Sequence, residues 1–100
     1  MVEIVNTGER VTAGILGDID HHTASGIRAE IDAVLENTTP RLLILDFGKV
    51  KFMDSSGIGL ILGRMRVLDS FGGKVFIKNA TGHAAKIMKL AGLSGLMLQN

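Results

Sequence analysis

Arg41-Leu42-Leu43-Ile44-Leu45-Asp46 and, after a short link, Phe52-Met53-Asp54-Ser55-Ser56-Gly57-Ile58-Gly59 decide how this chain folds. The first segment is a continuous apolar run, the pattern of a central strand covered on both faces. In the second, an acid, two hydroxyls and two glycines stand where an apolar strand gives way to a helix. Beyond it, Ile58, Ile61, Leu62, Met65 and Leu68 recur at helical spacing, and Phe71-Gly72-Gly73 stops the pattern. The reading is a strand, a polar loop and a helix whose N-terminus carries the hydroxyls.

Working outward, Val2 and Ile4 with Val5, then Val11, Ala13 and Ile15, predict two short strands joined at Gly8-Glu9-Arg10. After Gly17 comes a polar loop, Asp18 to Thr23. Ala24, Ile27, Ile31, Val34 and Leu35 then recur as the apolar stripe of a helix over about Thr23–Glu36. Arg28 and Asp32 fall at i,i+4 on its wet side, and Pro40 ends it. Lys74–Lys78 predicts another strand. Thr81 is expected to cap a third helix with Ala84, Ile87, Met88 and Ala91 inward, and Leu96-Met97-Leu98 a last short strand. The order is roughly ββαβαβαβ. That predicts an α/β fold, a mixed and largely parallel sheet of four to five strands with helices packed against it. The loops after Gly17 and Leu45 then share one rim, bringing Asp18 and Asp20 near Asp54 and Ser56.

The 100 residues suit one domain, spanning 1–100, with 46% apolar and 21% charged residues. A formal charge of +1, with no basic block, argues against nucleic acid. With no cysteine, disulfide and thiolate chemistry are excluded. The N-terminal segment lacks the build of a signal peptide, and no apolar run approaches the ~20 residues that span a bilayer. A cytoplasmic location without membrane contact is expected. The sequons at Asn37 and Asn79 are then chance matches.

A helix N-terminus offers unpaired N–H groups and a positive dipole end, so a serine there either caps the helix or accepts a phosphate. A phosphoserine adds about −1.5 to −2 of charge, enough to reverse the sign of this protein. Gly57 and Gly59 keep side chains away from the serines and admit a close backbone. Gly57-Ile58-Gly59-Leu60-Ile61-Leu62-Gly63 only weakly resembles a dinucleotide loop, close helix packing explains Gly63 equally well, and no G-K-[ST] loop occurs. A serine hydrolase would need a base, but G-x-S-x-G is absent and His83 has no evident partner. Asp18, Asp20, His21 and His22 suit cap and solvent contacts better than a metal, so neither metal nor cofactor is expected. At 100° per residue Leu60 and Val67, flanked by Gly63 and Arg64, fall opposite the Ile58–Ile61–Met65 stripe. They are expected to form an exposed patch for a partner.

Taken together, Gly17-Asp18-Ile19-Asp20-His21-His22-Thr23-Ala24, Leu45-Asp46-Phe47, Phe52 to Gly59, Leu62-Gly63-Arg64 and Gly92-Leu93 resemble a STAS domain of the sporulation-type anti-sigma factor antagonists. The resemblance covers nearly the whole chain. It implies a regulator that is no enzyme. Its unphosphorylated form binds an anti-sigma factor, a serine kinase carrying ATP or ADP, and frees the sigma factor. Phosphorylation of the second serine, Ser56, ends the binding, and a serine phosphatase restores it. Asp54 is then the neighbouring acid, and Asp18, Asp20 and His21 line the kinase-facing rim. Partner contacts are expected at Asp18, Asp20, His21, Asp54, Ser55, Gly57, Leu60, Arg64 and Val67, with a monomer favoured. The alternatives are a STAS module serving another client and a small nucleotide-binding or hydrolytic domain. Family members continue into a C-terminal helix, whereas this sequence ends at Gln99-Asn100, so a less covered sheet edge is expected.

Overall fold

The computed structural model describes residues 1–98; Gln99 and Asn100, on which the expectation about the chain end falls, lie outside the described residues. Four strands, β1 (Val2–Asn6), β2 (Arg10–Ile15), β3 (Leu42–Asp46) and β4 (Lys74–Lys78), form one sheet in the order β1-β2-β3-β4. β1 pairs antiparallel with β2, and the other two pairings are parallel. Each parallel neighbour is reached through a helix, α1 (Ala24–Thr38) and then α2 (Ser55–Asp69). These two crossovers therefore run side by side in the same direction. α3 (Gly82–Leu90) follows β4, and a short 3-10 turn spans Ser94–Leu96.

The register aligns Val11, Leu43 and Val75 in one row and Ala13, Leu45 and Ile77 in the next, all buried on a single face. Ile27, Ile31 and Leu35 of α1, Leu60, Ile61 and Leu68 of α2, and Ala84 and Met88 of α3 join the same core. Removing each of the larger aliphatic side chains, the alanines apart, from water contributes about 1.5–3 kcal/mol. All three helices thus lie against one face. The opposite face carries the row Thr12, Ile44 and Phe76, of which only Ile44 is buried, and Ile44 stands apart from the core. The expectation of a strand covered on both faces holds for β3, whose Leu43, Ile44 and Leu45 are all buried; Ile44 lies between its row neighbours Thr12 and Phe76, away from the helices of the core.

The predicted fifth strand does not form. Met97 makes one parallel bridge to Ile77, and Leu98 N–H donates to the Ile77 carbonyl at 2.7 Å. The preceding 3-10 turn uses up the residues a longer ladder would need. Ala91, expected inward, is exposed because α3 ends at Leu90. No helix among the described residues is long and apolar enough to cross a membrane.

Candidate functional site

Asp54, not either serine, caps α2. Its backbone is extended, and its Oδ1 accepts the Ser56 N–H at 2.8 Å. Ser55 and Ser56 are therefore the first two residues inside the helix, where a hydroxyl has no capping duty. Ser55 is exposed and Ser56 half-buried. Among the described residues the Ser56 hydroxyl makes no hydrogen bond, so it does not serve as the cap of α2.

The two loops do share a rim. Ile19 and Met53 form a parallel bridge, Ile19 N–H donates to the Phe52 carbonyl at 3.1 Å, and Asp54 N–H returns to the Ile19 carbonyl at 3.1 Å. Asp18 reinforces this. Its Oδ1 accepts the Lys51 and Phe52 amides at 3.1 and 3.0 Å, so the side chain latches the loop segment that leads into Asp54.

Asp20 does similar work before α1. Its Oδ1 accepts the His22 and Thr23 amides at 2.8 and 3.0 Å, while the Thr23 hydroxyl accepts the Asp20 N–H at 3.0 Å. This is a reciprocal capping box. The Thr23 amide foremost, then that of His22, holds the Asp20 carboxyl below its ordinary range. His21 is exposed, with its ring centroid 4.0 Å from that of His22.

His21, Ala24, Ser25 and Arg28 of the α1 side, and Ser56, Gly59 and Leu60 of α2, line one open cleft of about 380 Å³. The phosphoacceptor candidate thus sits at a groove between two helices.

Farther down the seam the structure corrects the sequence reading. Leu60 is buried in the core and Arg64 is only 5% exposed, so neither lies on a wet face. Val67 lines a smaller pocket with Asp32, Leu35 and Phe71, again between α1 and α2. The reason is geometric. Two crossover helices lying side by side on one sheet must pack against each other, so α2 has a second inward stripe facing α1. Leu62, placed inward by periodicity, is 43% exposed instead.

Asp32 does not serve the wet-side pair with Arg28. It faces Arg64, whose Nε lies 3.1 Å from Asp32 Oδ1. The contact is Coulombic without hydrogen-bond alignment, and Arg64 Nη1 also has no acceptor. Burial pulls the Arg64 guanidinium below its ordinary range, Asp32 opposes that, and Arg28 and Arg66 add to it.

The glycines also divide. Gly57 is buried, and a Cβ there would lie 2.2 Å from Cγ and Sδ of fully buried Met53. Its role is to admit the protein's own methionine, not a partner's backbone. Cβ positions at Gly59 and Gly63 are open, so close packing does not account for Gly63.

One contact was not legible from the sequence. His83 stacks on Phe52 with centroids 4.9 Å apart, and its Nδ1 accepts the Met53 N–H at 3.4 Å. It tethers α3 to the loop segment before Asp54. Thr81 begins α3 without a side-chain cap.

A four-stranded sheet with its helices on one face and an acid-capped helix carrying Ser-Ser-Gly at the rim matches a known family. The STAS domain model matches residues 2–99, and the chain belongs to that family. The anti-sigma F factor antagonist of Lysinibacillus sphaericus is 37% identical over 92 residues, 92% of this chain and 79% of the relative. The solved structure of the anti-sigma factor antagonist SpoIIAA in its unphosphorylated form matches with TM-score 0.89 and 33% identity, covering 100% of this chain and 88% of that one. The phosphorylated form of the Bacillus cell fate determinant SpoIIAA gives TM-score 0.79 at 33% identity, covering 100% and 91%.

Proposed function

We propose that residues 1–100 act as one STAS domain that antagonises an anti-sigma factor. The unphosphorylated protein binds an anti-sigma factor that is itself a serine kinase carrying ATP or ADP, and so frees the sigma factor. The kinase then modifies Ser56. The Ser56 Oγ–P bond forms as the bond between the γ-phosphorus and ADP breaks, and the hydroxyl proton leaves to a base on the kinase or to water. The modified antagonist dissociates, and a serine phosphatase restores it by hydrolysis.

The observation that carries this reading is the division of labour at the start of α2. Asp54 takes the cap and leaves the Ser56 hydroxyl unengaged at an open cleft. A phosphate at this helix end is compatible with the fold, since the dipole favours it by about 0.3–1 kcal/mol. For a partner packed against the same rim it is an added charge that must be stripped of water, which costs several kcal/mol. Asp18, Asp20, His21, Asp54 and Ser55 make up the rim the partner meets. Gly57, Leu60 and Arg64 support it from within, and Val67 does so from the seam.

Intact-mass spectrometry after incubation with the cognate kinase and ATP tests the acceptor. One added phosphate that persists in Ser55→Ala and vanishes in Ser56→Ala is expected. Modification that follows Ser55, or none on folded protein, would remove the switch.

A further inference from the structure

The contact between Asp32 and Arg64 fixes how α1 and α2 are aligned along their shared direction. From that level, Arg28 lies one turn toward the start of α1, while Leu60 and Ser56 lie one and two turns toward the start of α2. Helical side chains lean toward their own N-terminus. For Arg28 that is the direction of the cleft mouth, where Ser56 stands. Both residues line the same cleft, with Gly59 between them on the α2 side, and no side chain fills the space above Gly59.

Two further observations make Arg28 available. It belongs to no ion pair among the described residues, because the carboxylate one turn along, Asp32, is committed to Arg64. The charges acting on Arg64 are Asp32 in its favour against Arg28 and Arg66. Arg28 itself is exposed and lines the cleft. The nearby carboxylates Asp18, Asp20 and Asp54 are already occupied by backbone amides.

We propose that Arg28 is the internal receiver of the phosphate: once Ser56 is modified, its phosphoryl oxygens pair with the Arg28 guanidinium across the α1–α2 cleft. The planar fork of arginine suits a phosphate's three acceptor oxygens, and a charge-assisted pair of this kind orders both groups. The proposal rests on the reading of Ser56 as the phosphoacceptor. Its consequence is that modification acts twice on the rim. It adds an anion at Ser56 and withdraws a cation at Arg28 from any acidic group of a partner.

The test installs phosphoserine at position 56 during translation, so that no kinase is needed, and follows the phosphate by phosphorus-31 NMR across pH. An unperturbed phosphoserine changes charge near pH ~6. In the wild-type background that midpoint should lie about one pH unit below its value in Arg28→Ala, the low end for an opposite charge nearby. Arg28→Lys should fall between the two. Arg10→Ala, changed at the start of β2, should match wild type. Arg28 is exposed and unpaired, so thermal unfolding of unphosphorylated Arg28→Ala should match wild type and exclude misfolding. Equal midpoints in wild type and Arg28→Ala would overturn the proposal, as would the whole displacement appearing in His21→Ala instead. A kinase that ignores Ser56 would remove the proposed switch and leave this titration untouched. Equal midpoints would remove the role of Arg28 and leave the switch standing.

Discussion

Ser56 is relieved of capping by its neighbour. With Asp54 accepting its amide, the serine keeps a helical backbone and a spare hydroxyl. The same economy governs the glycines on either side of Ile58. Gly57→Ala pushes a methyl into Met53 and should cost about 1–3 kcal/mol by overpacking. Gly59→Ala meets nothing and should gain about 0.5–1 kcal/mol in helix propensity. Thermal unfolding of the pair checks this, and equal effects would refute the division. Asp20 supplies a pH test. Its carboxyl is depressed in the folded protein, so the stabilisation it gives the start of α1 is complete above the ordinary value of 3.8. It is lost only as pH falls through the lower folded value. The His22 and Thr23 amide resonances should therefore titrate with a midpoint below 3.8. A midpoint at or above that value would exclude the capping box.

At the scale of elements, the seam between α1 and α2 holds a buried polar contact without hydrogen-bond alignment, Asp32 against Arg64. Asp32→Ala leaves Arg64 buried without a counter-charge and should destabilise by about 2 kcal/mol, less than a fully buried pair because Asp32 retains solvent contact. Arg64→Met keeps volume, leaves Asp32 to water and should cost under about 1.5 kcal/mol. Denaturant unfolding that ranks the two in the opposite order would show the pair is not what ties these helices.

This seam is also where the sequence was least legible. Strands and helices were readable because Val11-Ala13-Ile15 alternates and Ile27-Ile31-Leu35 repeats at helical spacing. A single-helix projection knows one inward direction, however. It put Leu60 and Arg64 on the wet face because it could not include the neighbouring helix, and it paired Asp32 with Arg28 because Arg64 is 32 residues away in sequence. Ser56 was legible as a position, but its freedom from capping became visible only with the side chain of Asp54 in place. Leu42 to Leu45 read as covered on both faces, but pattern alone does not say that the helices lie on only one of them.

On the scale of the whole molecule, three helices on one face place the starts of α1 and α2 on a common rim, latched by Asp18 and the Ile19–Met53 bridge. A group added at that rim stands clear of the buried core, so modification should weaken binding while the fold is kept. The most direct test is the affinity of the cognate anti-sigma kinase, with ADP, for three forms: unmodified protein, protein carrying phosphate on Ser56 alone, and Ser56→Ala. The unmodified protein and Ser56→Ala should bind alike, and the phosphorylated form about 100-fold or more weaker, the equivalent of ~2.8 kcal/mol. Equal affinity of the phosphorylated and unmodified forms, both folded, would contradict the switch.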